Sequence, residues 1–138
     1  MTKEIEVRTK YLGIPYKHLG RTLDGLDCWG LPILIYREIK NIELFDMNYE
    51  KDWAKNGKDY FVEHYYKKWV KQTTPKFLDI LLFSDGNGRT YHAGVYLSND
   101  EFIQGSSVGV IITRLRNVWK QRLTGIYRYE DGLNEDNL

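Results

Sequence analysis

From Asp79 to Tyr129 the chain is patterned in twos, and that pattern limits the fold more than any other feature. Five short segments alternate apolar and polar residues or run apolar with β-branched and aromatic side chains: Asp79–Phe83, Tyr91–Leu97, Glu101–Gly105, Val110–Leu115 and Leu123–Tyr129. Asp85-Gly86-Asn87-Gly88 and Ser98-Asn99-Asp100 supply turn chemistry between them. The first of these resembles the start of a calcium loop. It lacks the later ligands, so it reads as a hairpin turn. The preceding residues carry a different period. Thr2–Lys10 fits a short helix or strand. Cys28–Lys40 fits a helix, with Asp27 as its cap, Leu31, Leu34, Ile35 and Ile39 on one face, and Pro32 tolerated in the first turn. Phe61, Tyr65 and Trp69 form a stripe between lysines and predict a second helix over Lys58–Lys71. Helices first and strands after predict an α+β fold, with N-terminal helices packed on an antiparallel sheet of five to six strands.

With 138 residues the chain is the length of one domain, expected over residues 1–130, with residues 131–138 as a loose acidic tail. Charges nearly cancel, 20 Lys and Arg against 19 Asp and Glu, which argues against a protein built to grip nucleic-acid phosphates. A single cysteine, Cys28, allows no intrachain disulfide and no four-cysteine zinc site, and the three histidines show no metal-ligand spacing. No metal or cofactor is expected. There is no apolar run of about 20 residues that would span a bilayer. The start, Met-Thr-Lys-Glu-Ile-Glu-Val-Arg, lacks the apolar core of a secretory signal, so synthesis in the cytoplasm is expected.

The chemistry centres on Cys28. It follows an N-cap aspartate at the head of a helix, where unpaired amides and the helix dipole favour a thiolate. A nucleophilic thiolate needs a base. His64 falls in the lysine-rich segment and His18 in a loop before Cys28. His92 opens a strand in which Tyr91, Ala93, Val95 and Leu97 share one face and His92, Gly94 and Tyr96 the other. A three-residue loop at Ser98-Asn99-Asp100 would pair Leu97 with Glu101 and Gly94 with Gln104. That register brings Gln104 diagonally beside His92, where its amide oxygen can fix the imidazole tautomer. A two-residue loop would turn Gln104 away. The candidate order is nucleophile Cys28, base His92, orienter Gln104.

These residues also carry a resemblance. Leu12-Gly-Ile-Pro-Tyr16 followed by Leu23-Asp-Gly-Leu-Asp-Cys-Trp-Gly-Leu31 is similar to the pattern that opens the catalytic helix of NlpC-type cell-wall cysteine peptidases. Tyr91-His-Ala-Gly-Val-Tyr-Leu97 resembles the histidine strand of that family, Phe77–Phe83 the strand before it, and Phe102-Ile-Gln104 the position of its third polar residue. The resemblance implies a papain-like fold and a cysteine endopeptidase that cuts peptidoglycan stem peptides through an acyl-enzyme, without a cofactor. It further implies that Tyr16 lines the site and that Asp27 stands at the substrate amine or the helix start. The Cys28 amide would be an oxyanion donor. Where the family has a serine beside the substrate this chain has Trp29, and the Asp-Cys-Trp-Gly-Leu form resembles members carried in phage tails. Tail-tip proteins are then expected partners and the virion the expected location. Two further readings use the same scaffold: a non-catalytic tail-tip component with Trp29 blocking the groove, or an intracellular amidase or thioesterase.

Overall fold

A computed structural model of the chain describes residues 2–46, 69–87 and 90–130. Thr2 caps the first helix, α1 (Lys3–Lys10), its hydroxyl accepting the Ile5 amide. A two-strand ribbon, β1 (Arg21–Thr22) and β2 (Gly25–Leu26), leads to α2 (Gly30–Ile35), which continues as a π-helical turn, Tyr36–Lys40. The sheet then follows: β3 (Trp69–Gln72), β4 (Ile80–Ser84), β5 (Thr90–Tyr96), β6 (Glu101–Ser106), β7 (Gly109–Arg114) and β8 (Leu123–Tyr129), with α3 (Val118–Arg122) before β8. The strand order is β3-β8-β4-β5-β6-β7, and every pairing is antiparallel. The expected α+β class and its antiparallel sheet are what the molecule has, and the five strands read from Asp79 onward match β4 to β8 within a residue or two.

Two expectations about helices change. The segment ending the expected second helix is a strand: Trp69–Gln72 pairs with Tyr129–Ile126 at the sheet edge, and Trp69 is buried against Tyr36 and Tyr129. A buried tryptophan with two edge-on aromatic partners is held by tertiary packing, which overrides a helical stripe. The rest of Lys58–Lys71, and the acidic tail, lie outside the described residues. The expected Cys28–Lys40 helix holds its α pitch only over Gly30–Ile35.

The central strands β4, β5 and β6 are buried almost without a break, and since successive side chains point to opposite faces, both faces of the sheet are covered there. Ile80, Leu82, Ala93, Val95 and Ile103 face α1 and α2, joining Val7, Tyr11, Leu31 and Ile35. Leu81, Phe83, Tyr96 and Phe102 face the other way, covered by Trp119 of α3. The space at Gly94 is filled by the Phe102 ring. Tyr91 departs from its expected face. The ladder steps from Phe83↔His92 to Ser84↔Thr90, so Tyr91 is an extra residue in β5 and packs with the Trp119 side. The bulge sits directly before His92.

Candidate active site

The loop between β5 and β6 sets the site. Leu97 N–H donates to the Glu101 carbonyl, and the ladder runs Tyr96↔Phe102 and Val95↔Ile103, the register of a three-residue loop. Asn99 and Asp100 take the left-handed conformation that the tight loop needs. Past that short ladder another element stands between the strands. A Cβ on Gly105 would come within 2.5 Å of the Asp27 carbonyl oxygen and 3.4 Å of the Cys28 nitrogen. The Ala93 N–H donates to the Cys28 sulfur. The Asp27-Cys28 corner is thus wedged into the seam between β5 and β6, and glycine at position 105 is what lets it approach.

The wedge puts the sulfur one residue along β5 from His92. His92 Nε2 lies 2.7 Å from Gln104 Oε1, across the same seam, and both side chains are buried. Gln104 Nε2 donates in turn to Thr113 Oγ1 on β7, at 2.8 Å. With its NH₂ engaged by Thr113, Gln104 presents oxygen to the imidazole. Nε2 then carries the proton and Nδ1 is left to accept one. Phe83 and Trp119 flank the ring, with centroids 5.9 and 5.7 Å away.

Electrostatics here differ from the expectation of a resting thiolate. Cys28 keeps part of its surface in solvent, yet burial is the main influence on its thiol, whose pKa is pushed up to about 12, with the Asp27 carboxylate adding to the rise. The Ala93 and Cys28 amides and the Arg21 guanidinium pull the other way without overcoming it. Burial likewise lowers the His92 pKa to about 4, against smaller upward effects from Gln104 and Asp27. In the free protein the pair is therefore neutral thiol and neutral imidazole at neutral pH. Desolvation outweighs the short α2 and its dipole. The Cys28 amide, expected to face an oxyanion, lies within reach of its own sulfur.

The remaining expected residues divide. Tyr16 pairs with Leu26 beside the corner, stays well exposed, and has its hydroxyl pKa raised by burial and by the Asp27 and Cys28 charges. Of the two places open to Asp27, its carboxylate takes the helix start. Oδ1 accepts the Trp29 and Gly30 amides at 3.1 and 2.8 Å and Arg21 Nη1 at 2.9 Å, and Oδ2 accepts the Leu19 amide at 2.9 Å. Trp29 is not at the groove. It is 1% exposed in the helix-side core, with Nε1 donating to the Phe45 carbonyl at 3.0 Å. A large apolar ring next to α2 gains more from burial than from lining a wet cleft. Sequence reasoning missed Thr113, Trp119 and Arg21. Thr113 was recoverable, because a two-residue turn at Ser107-Val108 pairs Ser106 with Gly109 and so sets Thr113 opposite Phe102, on the face of Gln104. Trp119 and Arg21 left no comparable signal.

Comparisons with known proteins identify the family and the fold. The NlpC/P60 family model matches residues 13–128. The chain is 29% identical over 132 residues to the Escherichia coli protein named murein DD-endopeptidase MepS/murein LD-carboxypeptidase, covering 88% of this chain and 63% of that protein. It is 27% identical over 119 residues to the Bacillus subtilis probable peptidoglycan endopeptidase LytE, covering 86% of this chain and 31% of that one. The chain thus spans less than two thirds of the length of these relatives. Among solved structures, the NlpC/p60 domain of the peptidoglycan hydrolase SagA superposes with a TM-score of 0.64 at 17% identity, over 93% of this chain and 99% of that domain. NlpC2 from Trichomonas vaginalis gives 0.65 at 21%, over 92% and 45%. With the family model spanning everything from Gly13 through the Asp-Cys corner and the histidine strand to Arg128, this chain belongs to the NlpC/P60 family.

Proposed function

We propose that this protein is a cysteine endopeptidase that hydrolyses the stem peptides of peptidoglycan, with Cys28 as nucleophile, His92 as base and Gln104 as the residue that orients the base. The observation that carries the reading is the 2.7 Å His92–Gln104 contact beside the seam that holds Cys28. In the reaction, the Cys28 thiol gives its proton to His92 Nδ1 as sulfur attacks the peptide carbonyl carbon. The imidazolium then protonates the leaving amine, the C–N bond breaks, and water releases the acyl group with His92 again as base. Tyr16, on the rim, contacts the substrate. Relatives named as murein and peptidoglycan endopeptidases support the substrate class. The burial of Trp29 removes the ground for a blocked groove, so the non-catalytic reading has no observation in its favour.

Mass spectrometry of muropeptides released from purified peptidoglycan tests the proposal. New peptide termini are expected within the stem or cross-bridge, and an unchanged muropeptide profile would sink it. Turnover of small amides or thioesters with wall peptides untouched would point to the intracellular amidase or thioesterase instead. Delivery on a phage tail is the finer part of the proposal and rests on the Asp27-Cys-Trp-Gly-Leu31 form. Peptides of this chain in purified virions of an induced lysogen would support it, and their absence from virions that carry the other tail proteins would overturn it.

A further inference from the structure

Cys28 has a buried negative charge as its chain neighbour, and the structure pairs that charge with Arg21. Arg21 Nη1 lies 2.9 Å from Asp27 Oδ1 and 2.9 Å from the Gly20 carbonyl, and Nε lies 3.0 Å from Asp46 Oδ1. The arginine side chain is 15% exposed and the aspartate 3%. Room for this arrangement is built into α2. A Cβ on Gly30 would fall 2.0 Å from the Gly20 carbonyl and 3.1 Å from Arg21 Nη1, so no other residue lets the β1 ribbon close on the helix start. Asp27 cannot be dispensed with, because it terminates the Trp29 and Gly30 amides and the Leu19 amide. The corner that presents the nucleophile therefore comes with an anion that opposes ionisation of the nucleophile.

We propose that Arg21 is a positioning residue for the reaction: its guanidinium holds the Asp27 carboxylate in the helix-capping pose and offsets its charge, so that the sulfur can ionise beside it. The inference rests on the reading of Cys28 as nucleophile. The groups that act on the sulfur among the described residues are the Asp27 carboxylate and Arg21 guanidinium of the corner and the Ala93 and Cys28 amides, while Tyr16 on the rim feels the Asp27 and Cys28 charges in turn. Asp27 opposes the thiolate and Arg21 favours it. The two roles open to Arg21 predict opposite signs. Loss of a purely structural clamp would loosen the corner, expose the thiol and return it toward ordinary reactivity, making it faster to alkylate. Loss of a compensating charge leaves the buried carboxylate less fully offset and makes the thiol slower.

Because Cys28 is the sole cysteine, iodoacetamide labelling located on the Cys28 peptide by mass spectrometry reports on this thiol. Alkylation rates are measured between pH 6 and 10 for the wild type, Arg21→Met, Arg21→Gln and Arg21→Lys, and for Asp27→Asn made on the Arg21→Met background. Arg21→Met and Arg21→Gln are expected to alkylate about tenfold more slowly at a given pH, the effect of one pKa unit. Arg21→Lys keeps the charge and stays within about threefold of the wild type, and Asp27→Asn restores the lost rate. Equal or faster alkylation of a folded Arg21→Met or Arg21→Gln protein, judged by near-UV circular dichroism, overturns the proposal, as does no recovery with Asp27→Asn. The assay needs no peptidoglycan. A wild type that fails to cut peptidoglycan but shows this alkylation pattern defeats the proposed function while leaving the role of Arg21 standing.

Discussion

Two aspartates, Asp27 and Asp79, are each 2% exposed, each accept main-chain amides and each face an arginine, yet they do different things. Asp79 takes Arg128 in a two-pronged grip, Nε to Oδ1 at 2.9 Å and Nη2 to Oδ2 at 2.7 Å, and also accepts the Lys76 amide. Its neighbourhood is aromatic: Tyr36, whose hydroxyl donates to the Leu78 carbonyl, packs edge-on against Trp69 and Tyr129. Both carboxylate oxygens of Asp79 meet one cation, and the pair binds the turn before β4 to β8. Asp27 meets Arg21 through one oxygen and one nitrogen, and Arg21 divides itself between Asp27, Gly20 and Asp46. Symmetric neutralisation makes a fastener. Asp27 instead stands beside the reacting groups, and its charge reaches both Cys28 and His92.

The comparison breaks most decisively at the nucleophile. Cys28→Ala should lower peptidoglycan hydrolysis by about 10⁴-fold or more, with the thermal midpoint nearly unchanged. Hydrolysis that survives in this variant would mean the Asp27 corner is no more functional than the Asp79 one. The converse test is Asp79→Ala. It leaves Arg128 without its buried partner and should cost about 3 kcal/mol, seen as a lower urea midpoint, while kcat/KM per folded molecule holds. A fall in kcat/KM would join the two regions.

Next in size is pH. His92 has a folded pKa near 4 against 6.5 for the ordinary group, so the unfolded chain binds the extra proton as pH falls between those values. The stability that His92 contributes is complete above pH 6.5 and is lost as pH drops toward 4, by up to about 3 kcal/mol. Urea titrations from pH 7 to 4 on the wild type and His92→Gln check this, with the flatter slope expected in the variant. The acid limb of kcat/KM should also lie near pH 4, since protonated His92 cannot accept the thiol proton. A limb near 6.5 would contradict the buried, neutral imidazole. The smallest effect is at Thr113. Thr113→Val frees the Gln104 amide to turn and should reduce kcat about three- to tenfold with little change in KM, as an isolated loss of orientation does. Thr113→Ser should restore it.

What was legible in the sequence follows from how local each signal is. Strands β4 to β8 were readable because alternation and turn residues act over a few positions, and the β5–β6 register because a three-residue loop fixes it. The Asp-Cys helix start was readable from its cap. Trp69 reads as helical because a lysine-flanked aromatic stripe is compatible with either period until a partner strand, here β8, is known. Trp29 is expected at the groove because the resembling family has a serine beside the substrate at that position, while its ring points into the core toward the Phe45 carbonyl. The thiolate expectation weighed the helix dipole, a local effect, without the burial that only the assembled seam imposes.

The π-helical turn at Tyr36–Lys40 ties distant parts of the molecule to the length of the chain itself. It stores one residue more than an α turn would, ends in left-handed Asn41, and closes with the Ile42 amide on the Tyr36 carbonyl at 3.1 Å. Excising any one residue there would let the helix relax to its common pitch and swing the following strand of chain by about 100°. Ile42 and Leu44 would then rotate out of the interior, and the Phe45 carbonyl would leave the Trp29 indole. A frame-preserving deletion ten residues from the sulfur would thus unmoor the helix that follows it, so the site depends on residue count here as much as on residue identity.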